Sequence, residues 1–139
     1  MKGVYVLVIS VNKNVNVKVC SQRSFPLEEG FYAYVGSAQK CLEKRLVRHF
    51  RRAGKRKNFW HIDHLLAIDC VNVVKAFYKE AGKPEECRTA QNLSLMGSQV
   101  EGFGCSDCKC GSHLFQFGSL SLLEDACLKM GFKPFILSC

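Results

Sequence analysis

The sequence predicts an α+β fold: one domain over residues 1–139, with a small mixed, mainly antiparallel β-sheet flanked by helices. Three observations carry that reading. Residues 3–11 are a β-branched run, residues 15–20 alternate strictly as Val-Asn-Val-Lys-Val-Cys, and Leu42, Leu46, Phe50 and Ala53 recur at helical spacing. A chain of 139 residues with 47% hydrophobic and 23% charged residues can bury a core without covalent staples.

Taken in order, residues 3–11 form the first strand and Asn12-Lys13-Asn14 a turn. Residues 15–20 return as an extra hairpin strand. Residues 21–30, with Pro26 and Gly30, read as a loop, and 31–36 as a third strand antiparallel to the first. Ser37 is placed to cap a helix running to about residue 52 or 53. Its apolar stripe leaves His49 at the edge and Arg45 just beyond, neighbours at i,i+4. A short helix over 59–67, a strand over 71–78 and a helix over 85–95 follow. An irregular cysteine-rich loop covers 100–111, a strand 113–117 and an amphipathic helix 120–130. Phe132, Phe135, Ile136 and Leu137 are expected to pack the tail onto the core.

The net charge of +8 is concentrated. Lys40, Lys44, Arg45, Arg48, Arg51, Arg52, Lys55, Arg56 and Lys57 place nine of the twenty positive charges within eighteen residues, opposed only by Glu43. That density attracts polyanions, so nucleic acid, DNA or RNA, is the expected partner. Lys44, Arg48, Arg52, Lys55, Arg56 and Lys57 are the expected backbone contacts. No segment approaches a membrane span, and the opening residues lack a signal-peptide pattern, which predicts no membrane partner and a cytoplasmic location. The nine cysteines, an odd number, read as thiols or metal ligands.

An ordered set of motifs adds to this. Gly3-Val4-Tyr5 and Tyr34-Val35-Gly36 precede Arg45 and His49. Further matches are Tyr32-Ala33-Tyr34-Val35-Gly36-Ser37-Ala38, Arg48-His49, Trp60-His61-Ile62-Asp63 and the stretch from Gly102 through Asp107 to His113-Leu114. On these residues the chain resembles the GIY-YIG endonuclease superfamily, and within it the Uri-type branch of archaeal stand-alone proteins. The resemblance implies a metal-dependent endonuclease acting on DNA in repair or processing. Tyr5 would be the base that activates water, Tyr34 would hold the water or a phosphate oxygen, and Arg45 would clamp the scissile phosphate in bidentate fashion. His49 would relay a proton or bind phosphate. Strand tyrosines and helical histidines often pack structurally instead, and a non-catalytic nucleic-acid-binding domain on the same scaffold is the alternative.

The resemblance also implies one glutamate on a later helix that holds Mg2+ or Mn2+. Glu86 is assigned that role, with Glu85 and Glu101 as rivals. Arg88 stands where relatives often carry an acid, and Asn92 is the one counterpart to a superfamily asparagine. Cys105, Cys108, Cys110 and His113 offer four soft ligands for Zn2+. The rival is a rigid loop in which Asp107 and His113 pair. Ser37, His61, Asp63 and Asp107 are expected to support the cleft.

Overall fold

The computed structural model describes residues 1–19, 23–51, 61–104 and 110–136. Its strands are β1 (Gly3–Val11), β2 (Val15–Val19), β3 (Arg23–Leu27), β4 (Gly30–Ala38), β5 (Val71–Lys79), β6 (Ser98–Gln99), β7 (Leu114–Phe117) and β8 (Lys133–Pro134). Its helices are α1 (Leu42–Phe50), α2 (His61–Leu66), α3 (Pro84–Ser94) and α4 (Leu120–Lys129). Six strands form one sheet in the order β6-β7-β4-β1-β5-β8, and β2 pairs with β3 alone. Every described pairing is antiparallel.

Burial on both faces makes β1 the axis of the sheet. Tyr5, Leu7 and Ile9 point into a core shared with Tyr32, Tyr34, the hairpin residues Val17 and Phe25, Leu46 of α1 and Leu65 of α2. Val4, Val6 and Val8 point the other way, against Val35, Phe115, Leu93 of α3 and Leu123 of α4. The result is three layers, with the β2–β3 hairpin, α1 and α2 on one face of the sheet and α3 and α4 on the other. Each fully buried Val or Leu contributes about 1.5–3 kcal/mol, so this strand carries much of the hydrophobic stabilisation.

The α+β class and mainly antiparallel sheet agree with the sequence reading; four local expectations do not. The extra hairpin exists, but β2 joins β3 rather than β1. Both edges of β1 are already occupied, by β4 along its whole length and by β5 from Val4 to Val11. The segment read as a loop therefore contains β3, where Pro26 is tolerated because that strand pairs on one side only. Asn14 Oδ1 accepts the Glu29 amide at 2.8 Å and ties the ends of the hairpin together.

Ser37 does not cap α1. The β1–β4 ladder runs through Val4–Ser37 to Gly3–Ala38, holding Ser37 in the strand. The helix starts later, at Leu42, behind Cys41, whose side chain makes no cap hydrogen bond. At the tail, Phe132 is buried and Phe135 packs on Phe50 and Tyr78, whereas Ile136 is 82% exposed. Extended backbone alternates its side chains, and Phe135 has taken the inward position. Leu137, Ala53 and residues 59–60 lie outside the described residues.

Cys41 is the one non-glycine residue with positive φ among those described, at 52°. The left-handed region costs an L-residue about 1–2 kcal/mol, part of which glycine recovers. Cys41→Gly is expected to raise stability by about 0.5–1 kcal/mol, read as a higher urea midpoint. A lower midpoint would show that the exposed thiol contributes more than the strain costs.

Candidate active site

The site begins where β1 crosses β4. Tyr5 pairs with Gly36, so the phenol leans over a residue with no side chain. A Cβ at position 36 would collide with the Tyr5 hydroxyl and ring, which explains why glycine follows Tyr34-Val35 here. From that position Tyr5 Oη reaches His49 Nε2 at 3.0 Å, with the two rings 5.5 Å apart. His49 is placed by α1, where Leu42, Leu46 and His49 fall on the face turned to the sheet.

Burial governs the protonation of this pair. Tyr5 is 3% exposed and His49 1%. Desolvation pushes the Tyr5 phenol far up, and the attraction and hydrogen bond of Arg45 only partly offset it. A neighbouring cation favours the phenolate, but here burial wins. His49 is held down to about 4, first by burial; Asp63 opposes this, while Arg48 and Arg45 add to it. At neutral pH the pair is therefore a neutral phenol against a neutral imidazole.

Tyr34 lies on the same face of the sheet and is also raised, mainly by burial. Its ring is wedged by Phe103, edge-on at 6.1 Å, and Phe103 packs in the same way on Phe25 and His61. Gly102 and Gly104 both have positive φ and turn the chain sharply on either side of this buried phenylalanine. The Gly104 amide donates to His61 Nδ1 at 2.7 Å. Thus His61 packs against the Phe103 turn beside Tyr34, and Phe103 itself was missed. An aromatic residue between two glycines was the available signal.

Ser37 joins the cation to the carboxylate. Its backbone oxygen accepts from Arg45 Nη1 at 2.7 Å, and its hydroxyl donates to Glu86 Oε1 at 2.6 Å. Glu86 Oε2 lies 3.1 Å from His113 Nδ1. Strand alternation turns Ser37 to the face opposite Tyr5 and Tyr34, and Glu86 meets it from the α3 side. Burial disfavours the Glu86 carboxylate, but the hydrogen bonds from His113 and Ser37 outweigh it and the net shift is downward. Its charge is felt at both phenols. Of the two rivals, Glu85 pairs with Lys79 and Arg88, and Glu101 is exposed. Asn92 is exposed farther along α3.

The remaining expected residues divide. Lys44 is exposed on α1. Arg48 is half-buried and paired with Asp63 at 3.3 Å, an intramolecular contact that competes with any phosphate. Arg52, Lys55, Arg56, Lys57, Asp107, Cys105 and Cys108 lie outside the described residues. Cys110 and His113 do meet, and among the described residues the third soft ligand beside them is Cys87 of α3. Nothing in the sequence spacing links Cys87 to that loop; only folding does. A separate cleft of about 410 Å³ between β3 and the β6–β7 edge holds none of the expected catalytic residues. Among the described residues no helix is long and apolar enough to cross a membrane.

The family model described as "Domain of unknown function DUF123" matches residues 4–133, which includes all the site residues above. No curated protein and no solved structure matches the chain.

Two outcomes follow from the Tyr5 corner. Gly36→Ala is expected to cost about 1–3 kcal/mol and to displace the phenol from His49. Denaturant unfolding reads the first, and loss of the Tyr5–His49 contact in a crystal structure the second. The second outcome concerns pH. The folded His49 takes its proton near pH 4 and the unfolded one near 6.5, so the unfolded state binds more protons between these values. Stability is therefore full above pH 6.5 and falls as pH drops towards 4, by up to about 3 kcal/mol from this group. The groups facing it are Tyr5, Arg45, Arg48 and Asp63. His49→Gln should flatten this part of the stability–pH curve; an unchanged curve would mean that the acid sensitivity lies elsewhere.

Proposed function

The chain belongs to the DUF123 family, and we propose that it is a GIY-YIG-type endonuclease of the Uri-like branch that hydrolyses DNA phosphodiester bonds. The observation that carries the reading is the convergence at one sheet crossing of Tyr5, Tyr34, Arg45 and His49, with Arg45 tied through Ser37 to the Glu86 carboxylate. Motifs from β1, β4, α1 and α3 need not meet in a merely basic domain.

In this reading Arg45 binds two oxygens of the scissile phosphate, which suits a planar guanidinium anchored by one Nη to a backbone carbonyl. Tyr34 lines the same face and orients the attacking water. Tyr5 accepts the proton of that water as its own hydroxyl proton passes to His49 Nε2. The neutral imidazole is able to receive it, because burial keeps His49 unprotonated at pH 7. The donor set also suits a hard cation. Glu86 is a carboxylate whose Oε1 accepts from Ser37 and whose Oε2 lies 3.1 Å from His113 Nδ1, and both oxygens keep lone pairs to offer. Mg2+ or Mn2+ bound there would supply stabilisation of charge on the phosphoryl and leaving oxygens. Lys44, exposed on α1, and Arg51, exposed at its C-terminal cap, would track the flanking backbone.

One observation favours a second reading, a nucleic-acid-binding domain, for RNA included, that does not cut. Both phenols are buried and raised, a poor starting point for base catalysis.

The test is Mg2+- or Mn2+-dependent cleavage of plasmid, branched, single-stranded and damaged DNA, with binding measured in parallel. Arg45→Ala is expected to lower the cleavage rate by about 100-fold or more while weakening binding only modestly. Tyr5→Phe should do the same with an unchanged circular dichroism spectrum, and Glu86→Ala should raise the metal concentration needed. Equal cutting by wild type and Arg45→Ala would reject the site; tight binding without cutting by wild type selects the second reading.

A further inference from the structure

Cys87, Cys110 and His113 come from two separate parts of the fold. Cys87 lies in the first turn of α3, one residue past Glu86, whereas Cys110 and His113 immediately precede β7. Their sulfur and nitrogen atoms all lie within 4.8 Å of one another. A tetrahedral zinc ion with Zn–S of about 2.3 Å and Zn–N of about 2.0–2.1 Å needs ligand separations of roughly 3.4–3.8 Å. Side-chain adjustment of about an ångström closes that difference. We propose that these three residues form a zinc site that clamps α3 to the chain entering β7.

A second observation supports metal over chance proximity. His113 is 3% exposed, and its Nδ1 faces Glu86 Oε2 at 3.1 Å. A carboxylate on one ring nitrogen is the usual support of a metal-bound histidine: it fixes the tautomer and leaves the other nitrogen to the ion. In the zinc-bound form Nε2 is the ligand and Nδ1–H donates to Glu86. Two thiolates and one imidazole are soft and borderline donors that select zinc over Mg2+ or Mn2+. The site is thereby distinct from a hard-cation site at Glu86, although it shares that carboxylate as its outer support. It also differs from a site made within the cysteine-rich loop alone, because Cys87 belongs to the helix. Occupancy would hold His113 in one tautomer and, through it, keep the Glu86 carboxylate against Ser37.

Zinc content is measured on the full chain purified with reductant and without chelator, and needs no nucleic acid, so a failed cleavage assay leaves this proposal untouched. One zinc per chain is expected. Cys87→Ser and Cys110→Ser should each weaken zinc binding at least 100-fold against a competing chelator, whereas Cys41→Ser, exposed and outside the cluster, should not. Glu86→Gln, which removes only the outer support, should weaken it about 10- to 100-fold. In the Co2+-substituted protein the thiolate-to-cobalt absorption should correspond to two sulfurs, and Cys87→Ser should halve it. This spectrum tests the ligands even if a variant binds too weakly for competition. Absence of zinc from the wild type, or full retention of zinc and of the cobalt spectrum by Cys87→Ser, overturns the proposal.

Discussion

The space above Gly36 is the constraint on which the site depends. Tyr5 occupies the volume that any Cβ at that position would need, and only there does its hydroxyl reach the imidazole of α1. The contact is possible because β1 and β4 pair in one register over nine residues, from Gly3–Ala38 to Val11–Gly30. A slip of one residue would turn Tyr5 to the opposite face and bring a valine to the crossing. The hydrophobic alternation of β1 therefore does two things at once. It builds both cores, and it sets which way the phenol points.

Around that crossing, solvent exclusion and charge act against each other. Exclusion keeps Tyr5 and Tyr34 protonated and His49 unprotonated, whereas Arg45, Arg48, Asp63 and Glu86 bring full charges to the margins. Ser37 mediates between the two sides of the sheet, its carbonyl facing the guanidinium and its hydroxyl the carboxylate. Such an arrangement links the guanidinium to the carboxylate through a single strand residue. The cost is a set of polar groups whose positions depend on a single strand-end residue.

Much of this was legible in the sequence because it is written locally. The β-branched run of β1, the i,i+4 spacing of Arg45 and His49, and the apolar stripe of α1 each follow from periods within a few residues. What was missed depends on competition between distant parts. The partner of β2 could not be read from its own alternation, since the decision lay in β4 and β5 occupying both edges of β1. Ser37 resembles a helix cap by composition, yet the ladder extends far enough to keep it in the strand. Cys87 carries no sign of Cys110 and His113 until α3 is laid against β7. Glu85 adjoins Glu86 in the sequence, and its pairing with Lys79 and Arg88 appears only in the fold.

The central place of β1 has a consequence for biosynthesis. Within these residues β1 is synthesised before both of its neighbours, and the second of them, β5, ends at Lys79. Until that point has emerged, a β-branched segment carries one unsatisfied edge, with only β4 available to shield the other. Nascent chains shorter than this are the ones most exposed to intermolecular strand addition. Synthesis that pauses between α1 and β5 would prolong that state and increase the demand for chaperone protection.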